Sequence, residues 1–353
     1  MIDEFIVVQV VPTGIGAAIG GYVGDATPAT NLLAGIADRV IAHPNVVNGV
    51  TLDVAKDNVL YVEGFMLDRF FRNEIALHEV RSNSIGVVLD SGVREKGSID
   101  TAINTIDAVR TVKGVDIVDY TMTRKPVNGR AVRLKSGAFV GEIRDPNVFL
   151  EPCKKLIGKG ATAIAIATQI DIEKKDLELY FRGKGPNPYG GTEALISHAI
   201  SWRFGMPAAH APLLTRLEVK HEMAAGIVDP RAGAEAITPA YLGCVLQGLH
   251  RAPQPVHKKK AEENDIRLEE VSAVILPYDC LGGIPALAAI RQGIHIIAVS
   301  ENRTVLDVTA RKLGLKNVMH AENYLEAAGI VAAMKEGIDY RMTRRPVARL
   351  GRI

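Results

Sequence analysis

Cysteine, aromatic residues and net charge are all in short supply in this chain. Cys153, Cys244 and Cys280 stand far apart and are odd in number. That pattern excludes a disulfide framework and favours a reducing compartment, so a cytoplasmic protein is expected. Aromatic side chains make up only 5% of the 353 residues. Lys and Arg number 42 against 40 Asp and Glu, a net charge of +2. A dedicated nucleic-acid binder usually carries a basic excess, so no nucleic-acid partner is expected. Long apolar runs are missing as well. The acidic start Met1-Ile2-Asp3-Glu4 differs from a basic signal peptide, and the stretch after it is broken by Gln9, Pro12 and several glycines. No membrane partner is expected from it.

What the chain has instead is small and apolar residues: 33 Gly, and 47% hydrophobic positions. Short β-branched runs predict strands at 4–12, 58–62, 84–90, 161–168, 271–277, 294–299 and 317–320. Apolar residues at helical spacing predict helices at 28–42, 98–112 with Ser98 as N-cap, 146–158, 192–204, 284–292, 304–313 and 322–335. Residues 115–143, with turns at Asn128-Gly129 and Ser136-Gly137, read as a small antiparallel excursion. Asp229-Pro230 signals a helix start, and 257–265 reads as an exposed linker. Strand–turn–helix units of this length imply an α/β fold with two Rossmann-like lobes and mainly parallel sheets. The expected division is residues 1–150 and 151–353, the second lobe ending in a basic tail.

A repeat suggests that the two lobes are related. Asp119-Tyr120-Thr121-Met122-Thr123-Arg124-Lys125-Pro126-Val127 matches Asp339-Tyr340-Arg341-Met342-Thr343-Arg344-Arg345-Pro346-Val347 at seven of nine positions. Arg124 and Arg344 occupy the same place in it, as two anion clamps or as part of a subunit interface. Ser91…Arg94 and Ser300…Arg303 are weaker correspondences.

Several segments are candidates for chemistry. Thr13-Gly14-Ile15-Gly16-Ala17-Ala18-Ile19-Gly20 follows a strand and spaces its glycines as G-x-G-x-x-x-G. Such a turn exposes backbone N–H groups, so Thr13, Gly14 and Gly16 are expected to bind an anion or a nicotinamide dinucleotide, NAD or NADP. Cys280-Leu281-Gly282-Gly283 is its counterpart in the second lobe, with Cys280 a nucleophile if its pKa is lowered and Gly282 and Gly283 as ligand contacts. Ser300 and Arg303 follow a strand, where α/β sheets hold ligands, and Arg303 has the fork to clamp a carboxylate or phosphate. His43 and His210, in Pro-flanked segments, are acid–base candidates. Close metal-ligand spacing is absent, but His43, His198 and His210, with Glu63, leave open a divalent metal assembled from distant positions.

Val11-Pro12-Thr13-Gly14-Ile15-Gly16-Ala17-Ala18-Ile19-Gly20-Gly21-Tyr22-Val23-Gly24-Asp25, His43-Pro44-Asn45-Val46-Val47-Asn48-Gly49 and Tyr61-Val62-Glu63-Gly64 together resemble an uncharacterised family, a domain of unknown function. Ser197-His198, Ala209-His210-Ala211-Pro212 and Arg251-Ala252-Pro253 are similar too. The resemblance covers nearly the whole chain. It implies a single module, supplies no reaction, and adds weight to Thr13, Gly14, Gly16, His43, Asn45, Glu63, His198 and His210 as motif positions. Gly190-Gly191-Thr192-Glu193 is also slightly similar to the cyclic-amide hydrolases that open cyanuric acid and barbiturate rings. Those place a serine before the Gly pair; Tyr189 stands there here, so that family is not adopted.

The expectation is therefore an enzyme, hydrolase or lyase in type. It would act on a small anionic metabolite in a cleft between two lobes, as a homo-oligomer. His43 or His210 would move protons, Glu63 would orient or activate a group, and Arg303 with the glycine-turn amides would hold the anion. A nicotinamide-dependent oxidoreductase and a non-enzymatic metabolite-binding module are the alternatives.

Overall fold

A computed structural model describes residues 4–43, 55–93, 95–215, 226–237, 241–347 and 349–351. The fold is α/β with two mainly parallel sheets. The larger sheet contains β1 (Ile6–Gln9), β2 (Arg39–Ala42), β3 (Val59–Tyr61), β13 (Val271–Pro277), β14 (His295–Val299) and β15 (Val318–Ala321). Its order is β15-β14-β13-β1-β2-β3, every pair parallel. Counted within the sheet that is 3-2-1-4-5-6, the doubly wound order, reversing between β1 and β13. The smaller parallel sheet runs β11 (Ala208–Pro212), β9 (Ala163–Thr168), β5 (Ile85–Leu89), β6 (Ile117–Met122).

Two minor sheets complete the strands. The antiparallel hairpin of β7 (Gly129–Arg133) and β8 (Phe139–Glu142) carries β10 (Ile170–Asp171) on its edge. An antiparallel ribbon joins β4 (Ile75–His78) to β12 (Gln254–His257).

Period-two burial explains the layers. On the larger sheet Val7, Val40, Ile275 and Ile297 face α1 (Thr27–Ala34) and α11 (Tyr324–Lys335), through Leu33, Ala327 and Val331. The alternate residues Ile6, Val8, Ile41, Val274 and Ile296 face α2 (Gly64–Phe71) and α9 (Ile284–Gln292), through Leu67, Phe70 and Ala286. The smaller sheet does the same. Val87 and Ala165 pack toward α3 (Lys96–Lys113) and α8 (Tyr241–His250). Val88 and Ile166 pack toward α4 (Leu150–Gly158) and α6 (Gly190–Phe204). The remaining helices are α5 (Lys174–Phe181), α7 (Gly233–Ile237) and α10 (Ala310–Leu313).

The sheets are interleaved along the chain. The larger draws on residues 6–61 and 271–321, the smaller on 85–212, and β4 pairs with β12 where the chain passes between them. The boundary expected at 150/151 falls at the start of α4, inside the run that builds the smaller sheet.

Local expectations differ from the structure in instructive places. The helix expected over 28–42 stops at Gly35, and Arg39–Ala42 becomes β2. Val40 and Ile41 are β-branched, and pairing with β1 gives their backbone groups partners. Residues 117–122 join the parallel sheet, so only 129–142 form the antiparallel excursion. Glu95, not Ser98, holds the N-cap position of α3; the Ser98 hydroxyl donates to the Leu214 carbonyl at 2.8 Å. The helix expected over 304–313 shrinks to α10, because Thr304 gives its N–H and hydroxyl to the Asp279 carboxylate instead. The two copies of the nine-residue repeat differ in conformation: Asp119–Met122 lies in β6, whereas Tyr340–Thr343 is a 3-10 turn.

Candidate functional site

A cleft opens beyond the carboxyl ends of β2, β3 and β11, between the two parallel sheets. It holds about 830 Å³ of empty space, counting its open mouth. Parallel pairing builds its floor. Ala42 is opposite Tyr61 in the β2–β3 register, so His43, one residue past β2, and Glu63, two past β3, both reach the cleft.

Glu63 is the most constrained group. It occupies the N-cap position of α2, and its Oε2 accepts the N–H groups of Phe65 (2.8 Å) and Met66 (3.3 Å). Its Oε1 accepts the Ser197 hydroxyl at 3.2 Å and faces His198 Nε2 at 3.1 Å. Burial pushes its carboxyl up to about 8, against the pull of those hydrogen bonds.

The two imidazoles beside it are held neutral. Burial lowers His43 to about 3, and burial lowers His198 as well. Both rings aim at the first residue of α2. A Cβ on Gly64 would lie 2.7 Å from His198 Nε2 and 3.1 Å from His43 Nε2. Only glycine lets both nitrogens approach that backbone.

A second pair comes from the smaller sheet. His210 lies in β11, not in irregular chain, and its side chain is fully buried. Its Nε2 shares a hydrogen bond with Thr168 Oγ1 (2.9 Å), and its Nδ1 faces Glu193 Oε1 at 3.4 Å. Glu193 is on α6 with Gly190, Ala194 and Ser197, and all four line the cleft. Their i, i+3, i+4, i+7 spacing puts them on one helix face. That face can approach the opening turn because Gly190 has no side chain: a Cβ there would fall 1.7 Å from Thr13 Oγ1.

The third wall is Glu235 of α7. Its Oε1 accepts the Val23 N–H at 3.0 Å and the Tyr180 hydroxyl. Burial pushes it up to about 7. Tyr22 stacks on Tyr180 with ring centroids 4.5 Å apart. The Arg231 guanidinium lies 4.7 Å from the Tyr22 centroid and is bound to Asp229. Tyr61, Tyr189 and Tyr241 also line the cleft.

The structure brings Thr13, His43, Glu63 and His210 to this cleft, with His198 behind Glu63. Asn45 lies outside the described residues. The later part of the glycine turn, from Ala18 on, is satisfied from within the chain. The N–H of Ala18 goes to the Arg303 carbonyl, that of Ile19 to Asn302, those of Gly20 and Tyr22 to Asp25, and that of Val23 to Glu235. Gly14 and Gly16 adopt positive φ, and Cβ atoms there would meet the Phe139 carbonyl and Pro186. Their role here is close packing.

A dinucleotide fits this turn poorly, because Phe139 and Pro186 pack against Gly14 and Gly16 and a histidine follows β2 where the nucleotide fold uses an acid. A metal fits poorly too. Among the described residues no group of three or more His, Cys, Asp or Glu could hold one, and both His210 nitrogens are engaged.

The other candidates lie elsewhere. Cys280 is buried against Ile15 and Ala138, and burial pushes its thiol up to about 12, which removes the thiolate a nucleophile needs. Gly282 and Gly283 are exposed at the start of α9. Ser300 donates its N–H to Ala321, and Arg303 stacks on Tyr278 with 4.5 Å to the centroid. Arg124 is exposed, and Arg344 pairs with Glu326. Sequence reasoning missed Glu193, Ser197 and Glu235 as site residues. The helical spacing of the first two was visible, but nothing in the sequence says which face of α6 meets the cleft.

The comparisons with known proteins point to one family. The model described as "Protein of unknown function (DUF3326)" matches residues 6–344. A protein named as an uncharacterized lipoprotein of Synechococcus sp. is 37% identical over 334 residues, covering 94% of this chain and 91% of that protein. No solved structure matches the chain.

Proposed function

The chain belongs to the DUF3326 family, of unknown function, as its opening motif suggested, and from its own geometry we propose that it is an enzyme moving protons on a small polar molecule in this cleft. The observation that carries the reading is the contact of Glu63 with His198 and Ser197 at the cleft floor. A carboxyl raised to about 8 keeps its proton at neutral pH and acts as a general acid. When the proton leaves, the carboxylate is stabilised by the Phe65 and Met66 N–H groups and the Ser197 hydroxyl. His198 orients Oε1. The complementary proton acceptor is Glu193, steadied by His210. Such pairs suit a hydrolase or lyase.

The test does not require the substrate to be named. Purified protein is incubated with a small-molecule extract in heavy water, and consumption and deuterium uptake are followed by mass spectrometry. At least one compound should be converted by the native chain and at least a hundredfold more slowly by Glu63→Gln. No conversion, or equal conversion by both, would overturn the reading.

The cytoplasm is the proposed location, supported by three free buried thiols. Among the described residues no helix is long and apolar enough to cross a membrane. The relative's name, lipoprotein, favours a lipid-anchored location instead. Recovery of the native protein in the membrane fraction would favour the anchor, and recovery in the soluble fraction the cytoplasm. Self-association is proposed on the exposure of Trp202, 70% accessible on α6. A monomeric mass in sedimentation would exclude it.

A further inference from the structure

We infer that the cleft takes a molecule carrying a protonated amine, seated between Glu193 and Glu235; this rests on reading the cleft as a substrate site. Three carboxyl groups line it, Glu63, Glu193 and Glu235, and no Lys or Arg is among its described lining residues. The nearby guanidinium is already engaged: Arg231 sits behind Tyr22 and binds Asp229. The arginines expected to hold an anion are elsewhere, on Tyr278, on Glu326 and on the surface. His43 and His198 are held neutral and supply no compensating charge.

A buried carboxylate without a counter-charge is costly, so Glu63 and Glu235 stay protonated until a cation arrives. That is the state burial imposes on Glu63 and Glu235. Tyr61, Tyr189 and Tyr241 add the aromatic lining to which an ammonium group is attracted. Thr13 lines the same cleft, and its Oγ1 has no hydrogen-bond partner among the described residues.

The test uses matched linear probes of two to six carbons: α,ω-diamines, α,ω-diols and α,ω-dicarboxylates. Thermal shift and calorimetry are run on the full chain and on Glu193→Gln and Glu235→Gln. Both variants keep the acceptor oxygens that hold His210 and Val23. At least one diamine should bind tenfold more tightly than its diol and dicarboxylate counterparts, and each variant should weaken it at least tenfold. Tighter binding of a dicarboxylate, or equal binding of diamine and diol, would overturn the inference, as would binding indifferent to both substitutions. The outcome separates from the enzymatic reading. Diamine binding with no conversion of any compound sinks the enzyme and leaves this inference standing. Conversion of an anionic compound does the reverse.

Discussion

At the scale of single residues, burial sets the protonation of the cleft and so the pH response of the fold. The Glu63 carboxyl rises from 4.5 to about 8 on folding and Glu235 from 4.5 to about 7. Each binds its proton more tightly folded than unfolded. Their stability contribution is complete below pH 4.5 and is lost as pH climbs through 7 and 8. His43 falls from 6.5 to about 3, so it works the other way: stability rises with pH from 3 to 6.5. The two trends oppose each other up to pH 6.5, and above it only the carboxyl loss remains. Urea unfolding midpoints should therefore fall between pH 6.5 and pH 8. Glu63→Gln should remove most of that fall; an unchanged slope would refute the assignment.

Gly64 gives a second test. A Cβ there must displace His198 or His43, so Gly64→Ala should cost about 1–3 kcal/mol and suppress conversion together with binding. Wild-type behaviour would show that the rings do not depend on that approach. Glu63, His43 and His210 were legible as candidates because the motif positions and loop ends mark them. Their proton states were not, since desolvation depends on neighbours such as Ser197, 134 positions away from Glu63.

At the scale of elements, the later part of the glycine turn acts as a strap between the two ends of the chain, with Ala18 and Ile19 bound to Arg303 and Asn302. Asn302, fully buried, accepts the Ile19 N–H at 3.0 Å, donates to the Ile19 carbonyl at 2.9 Å and donates to the Tyr324 hydroxyl at 2.9 Å. Removing that amide strands several buried polar groups. Asn302→Ala should cost roughly 2–4 kcal/mol and loosen Gly20–Val23, which line the cleft. Calorimetric melting and probe binding should fall together, and loss of stability with full binding would separate strap from cleft. Pattern reading placed most strands and helices because their periods are local. It failed at Arg39–Ala42 and 304–309, where a partner strand and the Asp279 carboxylate outbid helical propensity.

At the scale of the whole molecule, the interleaved sheets make one structure of two lobes. Residues 1–150 would hold β1–β3 without β13, and β5 and β6 without β9 and β11. Neither 1–150 nor 151–353 expressed alone should show a cooperative thermal transition, while the intact chain does. Circular dichroism melts check this, and a cooperative half would mean the lobes are autonomous. One apolar cluster also runs from Val11, Ala17 and Tyr61 into Val87, Ala165 and Leu246, so core packing continues from one sheet to the next.

The sequence by itself determined the α/β class, the strand–turn–helix periods, the positions of the glycine turns and the family, because each depends on neighbours a few positions apart or on a motif read in order. Tertiary structure alone decided that β1 pairs with β13, that His43, Glu63, Glu193 and Glu235 share one cleft, and that Ala18 and Ile19 are tied to Arg303 and Asn302. Parallel pairing and desolvation are set by residues hundreds of positions apart, and no local pattern records which of them will meet.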